Sequence, residues 1–440
     1  MSSKIKIYFV LFHLLLGAFL YYYNIFSTYY GLAIVLIGTY YILEQPDLDS
    51  IFPVFFSAYF VGLEVFLRMT KASLFWEFGK YTIIYFMLLG LVRQSRNTNI
   101  YYPILFYFVL LLPAIIYVPM DSINEWRQYV SFNLSGPLCL TVTSIYLYKK
   151  IINKFLLGEI LFIMILPIIS ISIYNILAMP DLATFKFLPH SNNFTSGGYG
   201  PNQVSTVFGL GISSILIAEL LKIKMFKNKI INYSLFVTFL ILGLLTFSRG
   251  GILSALIACS FAISYYYLYN QRIIYILTRG SSILLMTFIT WNIVAHITDG
   301  VIVQRYGFDN SNNEEEYFFD STGRTEIYSL DVKIFFDYFF TGVGLGQSKN
   351  IRQQYGYEKK VSAHTEFSRM LAEHGILGLL SLLIFCFILS KQLLGSSNPT
   401  VGYIKIFFGL LAVLNMSHAA MRLSMAPFIF GFIFPNYKDK

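Results

Sequence analysis

Apolar runs long enough to cross a lipid bilayer recur along nearly the whole chain. They fall at residues 7–23, 26–43, 51–67, 81–93, 101–118, 130–148, 157–178, 203–221, 231–247, 251–269, 280–297, 375–394, 401–417 and 419–435. A membrane-crossing helix needs about 20 mostly apolar residues, and most of these runs come close to that. Their apolar character is continuous, not alternating. That excludes a membrane barrel and leaves helices as the way to satisfy backbone polar groups in lipid. The expected fold is an all-α polytopic membrane protein of about 12–14 transmembrane helices, with one large outer loop that itself contains helices. The count falls below fourteen if the last two runs form one broken span.

Composition agrees with this reading. Charged residues make up 12% of the chain, whereas a soluble domain carries about 25%. The formal charge of +9 resides in short loops beside the runs. It therefore reports membrane topology and gives no reason to expect a nucleic-acid partner. Cys139, Cys259 and Cys386 each lie inside an apolar run, with spacing that suits neither zinc nor a disulfide framework. Lys4 and Lys6 precede the first run, and the bulky "YYYNIFSTYY" offers no small-residue cleavage site. The first run is expected to be a retained span.

Alternating the loops from a cytoplasmic N-terminus separates them by charge. One set carries Arg93/Arg96, Lys149/Lys150/Lys154, Lys222/Lys224/Lys227/Lys229, Arg272/Arg279, Lys391 and Lys438/Lys440. These loops are short and basic, as cytoplasmic loops are; the acidic segment 44–50 is the exception. The other set comprises 68–80, 119–129, 179–202, 248–251, a polar island and the stretch 418–422. Its loops mix Arg with Glu, Asp, His and Asn. Three regions follow: N-terminal transmembrane helices over 1–297, a large outer loop over 298–374, and C-terminal transmembrane helices over 375–440.

Four stretches of the outer set carry chemistry. In "TFSRGGIL" (246–253), Arg249 and two glycines occupy a tight turn that opens a helix. Arg249 would suit phosphate oxygens there, or would simply reach the headgroups. In "STGRTEIYSLDVKIFF" (321–336), Ser321 or Thr322 would cap a helix over 324–339, with Glu326 in its first turn and Ile327, Leu330 and Ile334 at helical spacing. Arg324 would stand at its N-terminal end, facing an anion or solvent. "GVGLG" (342–346) lacks the strand–turn–helix context of a dinucleotide fingerprint and reads as a flexible turn. In "AHTEFSRMLAEHGILGLL", His364 opens a helix that enters the span at Gly375, with Glu366, Arg369 and Glu373 in the same outer turns. His364 would titrate near neutrality and could take a proton from a hydroxyl, or could be an interfacial histidine. A zinc site from His364 and His374 is disfavoured by their spacing and the lack of a third ligand. Finally, Glu64, Arg68, Glu77 and Lys80 surround a short outer loop, as ion pairs or as substrate contacts.

Arg127, Asn202, Gln203 and Arg422 add polar groups to the same set. "PDLD" (46–49) has the Asp-x-Asp form of a metal motif, but it falls in a cytoplasmic loop and reads as a turn. "NSNNEEE" (310–316) reads as a solvated loop tip.

The order of these motifs resembles the O-antigen ligase/polymerase superfamily of bacterial membrane glycosyltransferases, closest to O-antigen ligase. The resemblance rests on His364-Thr365, nine residues, then Gly375-Ile-Leu-Gly378; on Arg249 in "SRGG"; and on Arg324 in "TGR". Thr365 stands where the family pattern more often has Asn, Ser or Gln. The resemblance implies a GT-C-like, metal-independent transferase that uses no cofactor. It would sit in the bacterial inner membrane with its active site facing the periplasm and both termini cytoplasmic. Its donor would be an undecaprenyl-diphosphate-linked glycan, its acceptor a sugar of lipid A–core, and membrane lipids would surround it. Arg249 and Arg324 would bind the diphosphate and His364 would be the general base, oriented by Glu366. Arg68, Lys80, Arg127, Arg369 and Arg422 are further candidate contacts. A polymerase of lipid-linked repeat units is the nearest alternative; the paired Arg-x-ten-Gly signature of some polymerases is absent from the outer loops. A lipid-linked oligosaccharide flippase is the alternative from another class. Transporters tend to carry repeats and midplane polar groups, whereas here the polar residues crowd one face.

Overall fold

The computed structural model describes residues 1–44, 50–94, 100–120, 122–270, 273–307, 324–395 and 398–438; at 267–270 and 273–280 it describes the backbone alone. "PDLD", Arg96, Arg272, the insert 310–316, Ser321, Thr322 and Lys440 lie outside the described residues. Seventeen α-helices are found among those described. The first nine are α1 (Ser3–Tyr22), α2 (Phe26–Glu44), α3 (Phe52–Met69), α4 (Phe78–Arg93), α5 (Tyr102–Val109), α6 (Ile123–Leu147), α7 (Lys154–Ala178), α8 (Pro201–Leu220) and α9 (Lys229–Leu245). They continue with α10 (Arg249–Asn270), α11 (Ile273–Ile297), α12 (Val301–Tyr306), α13 (Arg324–Asp337), α14 (Ser348–Ile351), α15 (Glu366–Leu394), α16 (Pro399–Ala419) and α17 (Met425–Phe430). Two short strands, β1 (Ile151–Asn153) and β2 (Asn436–Lys438), pair in parallel.

Eight of the described helices are long and apolar enough to cross a membrane: α1, α2, α3, α6, α7, α8, α15 and α16. Shorter apolar helical stretches at Tyr102–Tyr117, Lys229–Leu245 and Ser281–Ile297 accompany them. The protein is an all-α polytopic membrane protein. Two expected spans take another form. The run 101–118 breaks into α5 and a 3₁₀ turn over Leu112–Tyr117, because Pro113 cannot donate to the helix ladder. The run 419–435 is not a crossing helix; six-residue α17 and a 3₁₀ turn fold back beneath α16 and lead into β2.

The helices α3, α7 and α8 form the interior, whereas α1 and α2 expose most of their surface. Where α8 crosses α10, the backbones of Gly209 and Gly251 touch, and a side chain at either would collide with the other helix. Such close approach is how small residues hold membrane helices together. It also fixes the first turn of α10 against α8.

The loops emerge at opposite ends of the bundle. At one end, β1 meets β2, Tyr146 Oη donates to Ser50 O at 2.6 Å, and Lys405 Nζ donates to Gln392 Oε1 at 3.2 Å. Asn153, Asn228 and Asn398 cap α7, α9 and α16 there, each side chain accepting a backbone N–H of the first turn. These segments belong to the basic set. The other end joins Arg68 to Gln203, Lys80 to Met421, Asn133 to Arg369 and Ser248 to Asn202. Every one of these residues belongs to the outer set, to an outward extension of its neighbouring helices, or to the island.

Candidate active site

The island is built on one buried ion pair. Arg352 Nε donates to Asp331 Oδ1 at 2.8 Å, and both side chains are fully buried. Ser368 Oγ donates to the other oxygen of Asp331 at 2.8 Å, and Arg352 Nη1 donates to Val361 O at 2.6 Å. This ties α13, the segment after α14, and the start of α15 into one body. Burial pushes the Asp331 carboxyl up, and the Arg352 charge opposes that shift.

The helix α13 starts at Arg324 as expected but ends at Asp337. Ile327 and Ile334 face inward with Asp331 between them. The helix α15 is broken at Gly375, whose backbone lies at φ 56°, ψ −134°. A Cβ there would meet Phe339 O at 2.5 Å and Gly342 N at 2.6 Å, so glycine is required. The first piece of α15 ends with carbonyls that need donors. Val343 N and Gly344 N supply them, to Ala372 O and Glu373 O at 3.0 Å each. "GVGLG" is thus not a flexible turn: it seats on the broken helix with Leu345 fully buried.

His364 lies directly before Thr365, the N-cap of α15, whose side chain accepts from Ser368 N at 3.2 Å. Arg422 Nη2 donates to the carbonyls of Ser362 and Ala363, both at 2.9 Å, and so fixes the strand entering His364. Glu366 does not orient His364. Its carboxylate is occupied by Arg369 and by Met421 N, the latter at 3.2 Å. The cause is helical spacing: Glu366, Arg369 and Glu373 share one face and pair with each other.

Three of the further candidates are internal partners. Arg369 bridges Glu366 and Glu373 and donates to Asn133 Oδ1 at 2.8 Å. Arg68 pairs with Glu64 at 2.6 Å and reaches Trp76 O, Gln203 Oε1 and Arg422 O. Lys80 pairs with Glu77 and donates to Met421 O at 2.9 Å. Glu64 also accepts from Ser424 N and Oγ, both at 2.7 Å. These charges shape the loop 420–424. A charge buried this deeply in a membrane bundle needs such partners.

The "SRGG" turn is held by α8: Ser248 Oγ bonds Asn202 Oδ1 at 2.7 Å, and Ser205 Oγ donates to Ser248 O at 2.8 Å. Phe247 takes a left-handed φ of 54° to make the turn. Arg249 is thereby fixed at the first residue of α10, within reach of the charge of Arg324. Arg324 lies within reach of the charges of Arg249, Arg305, Arg422 and His364, and His418 joins them beside His364. Arg305 Nε donates to Phe247 O at 3.0 Å. Burial and the Arg249 guanidinium both lower the pKa of Arg324 and of Arg305. Burial and Arg324 hold Arg422 down at about 10. His364 is pushed down to about 3 by burial, then by Arg422, Arg324, His418 and Arg352. At neutral pH it is a neutral imidazole able to accept a proton. Several polar atoms at this place are buried without a hydrogen-bond partner in another described residue: His364 Nδ1, Arg324 Nε and both ring nitrogens of His418.

A cavity of about 1130 Å³ opens on the other side of the His364 strand. Its walls include Trp76, Tyr81, Arg127, Gln128, Lys349 and Ala363. Arg127 is exposed to this cavity, as a contact residue would be.

Arg305, His418 and the Asp331–Arg352 pair were not apparent in the sequence reading. Asp331 did carry a signal, as a carboxylate on the apolar stripe of α13. Arg305 and His418 carried none, since each follows an apolar run as many interfacial residues do. Residues 234–383 match the family model described as O-Antigen ligase. The match takes in Arg249, Arg305, Arg324 and His364 and stops short of His418 and Arg422. No curated protein matches the chain.

Proposed function

We propose that the chain, whose residues 234–383 match the O-Antigen ligase family model, acts as a member of the O-antigen ligase superfamily and transfers a glycan from undecaprenyl diphosphate to an acceptor sugar of lipid A–core, at the periplasmic face of the inner membrane. The observation that carries this reading is the cluster of partly buried arginines, Arg249, Arg305, Arg324 and Arg422, near His364, among which Arg324 Nε, His364 Nδ1 and the ring nitrogens of His418 are out of solvent without partners in other described residues. Uncompensated positive charge in a low-dielectric site favours an anion, and a lipid diphosphate is a membrane-bound anion of that kind.

In the reaction, the acceptor hydroxyl gives its proton to the unpartnered ring nitrogen of His364. The hydroxyl oxygen bonds to the anomeric carbon of the donor. The bond from that carbon to the diphosphate breaks, and its electron pair leaves with the lipid diphosphate. Arg249, Arg305 and Arg324 stabilise the charge that develops there, without a metal ion. The cavity beside Ala363 receives the acceptor, with aromatic faces for sugar rings and Arg127, Gln128 and Lys349 for their polar groups. Grooves between the spans hold the polyprenyl tail. In the described part of the island, α13 presents Arg324 and the residues before α15 lead to the base.

A deletion strain tests the activity. Glycan-free but otherwise intact core is the expected phenotype. Core bearing a single repeat unit would make the protein a polymerase, and unchanged sugar structures would overturn both readings. In a reconstituted assay, His364→Ala should insert normally and transfer nothing.

A further inference from the structure

The most informative feature outside the expected set is His418, in the last turn of α16. Its ring lies against the "SRGG" turn: a Cβ on Gly250 would sit 2.6 Å from His418 Cγ and 2.8 Å from Nδ1. The first glycine of that turn is thus explained by α10 having to admit an imidazole beside Arg249. Neither ring nitrogen has a hydrogen-bond partner in another described residue, the ring meeting only its own backbone, and both are out of solvent. Leaving buried polar atoms unpaired is costly. The chain bends sharply directly after it, with Ala420 at a left-handed φ of 51°. That bend sends Arg422 back toward the segment before His364 and leaves His418 within reach of the charge of Arg324.

We propose that His418 is a ligand of the donor's diphosphate, giving a ring N–H to a phosphate oxygen that Arg249 and Arg324 also hold. This rests on the transferase reading above. In it, the imidazole is a positioning group: it touches the leaving diphosphate and takes no proton from the acceptor. It is a neutral donor among guanidinium groups, so it adds direction to a site that already has charge. It also joins the C-terminal helices to the diphosphate, which the "SRGG" turn and α13 approach from the other side.

The test uses the full-length protein in lipid nanodiscs, with undecaprenyl diphosphate and undecaprenol as probes. The wild type should prefer the diphosphate. His418→Ala should lose about tenfold of that preference, the worth of one hydrogen bond to a charged partner, with undecaprenol binding unchanged. His418→Gln, which keeps an N–H donor, should recover most of it. Gly250→Ala should mimic His418→Ala by displacing the ring, and the double variant should be no worse than either single one. Full diphosphate preference in His418→Ala would overturn the proposal. So would equal losses in His418→Ala and His418→Gln with additive behaviour of Gly250→Ala, which would mark a packing role. If His364→Ala proves inactive while His418→Ala binds normally, only this inference fails; if His364→Ala transfers glycan, the transferase mechanism fails first.

Discussion

Arg422 donates to the backbone carbonyls on either side of the bond between Ser362 and Ala363, so the segment that carries His364 is placed by a residue nearly sixty positions downstream. The proposed base and the proposed diphosphate cations therefore belong to different parts of the chain and meet only in the folded bundle. Replacing Arg422 with Ala should lower kcat by freeing that segment, while Arg422→Ala added to the His364→Ala background should cause no further loss. Transfer assays on the single and double variants measure this coupling.

The Asp331–Arg352 pair holds the island together. Arg352→Ala leaves a fully buried carboxylate without its cation, which should cost about 3–5 kcal/mol and unfold the island before the bundle. Hydrogen exchange across 324–374 should rise while exchange in α3 and α7 stays at the wild-type level. The double variant Asp331→Leu with Arg352→Met should recover most of the loss.

Gly375→Ala places a methyl group against Phe339 O at a backbone angle that alanine avoids. The first piece of α15 should then shift, and transfer should fall by at least about tenfold, the effect of an ångström-scale misplacement in a catalytic group being of this order or larger. Donor binding, which depends on Arg249 and Arg324, should change little.

The low pKa of His364 sets the sign of a pH effect. Its folded value is about 3, against 6.5 for the ordinary side chain. The unfolded chain therefore takes up the proton first, and stability contributed by the neutral ring is present above pH 6.5 and lost as pH falls from there toward 3. Thermal unfolding of the wild type should fall more steeply than that of His364→Gln over this range. Diphosphate binding offsets the charges of Arg324 and Arg422, so it should raise the pKa of His364, with proton uptake confined to acidic pH and detectable there by calorimetry in buffers of different ionisation enthalpy.

Trp76→Ala and Arg127→Ala test the cavity beside Ala363. Each should raise the KM for the acceptor several-fold and leave donor KM unchanged. Arg305→Ala should do the opposite. A common effect of all three on both substrates would merge the two chambers into one.

The membrane class was legible from the apolar runs, because lipid leaves few ways to bury a backbone. The grouping of outer loops was legible from charge, and the gathering of Arg68, Lys80, Arg369 and Arg422 at one end of the bundle agrees with it. What these residues do there was not legible. Glu366 next to His364 in sequence suggested a pair, but helical spacing directs it to Arg369. "GVGLG" suggested freedom, yet three glycines in a row of close contacts mean the reverse. Arg305 and His418 depend on helix ends meeting across the bundle, which no local pattern encodes.

The bend at Ala420 gives the last long helix a second consequence. His418 lies just before it and Arg422 just after, so a change in the tilt of α16 would move a proposed diphosphate ligand and the support of the proposed base together. Helix tilt follows the thickness of the surrounding bilayer. The lipid environment is thereby linked to the geometry of transfer, and acyl-chain length becomes a variable of turnover as much as of solubility.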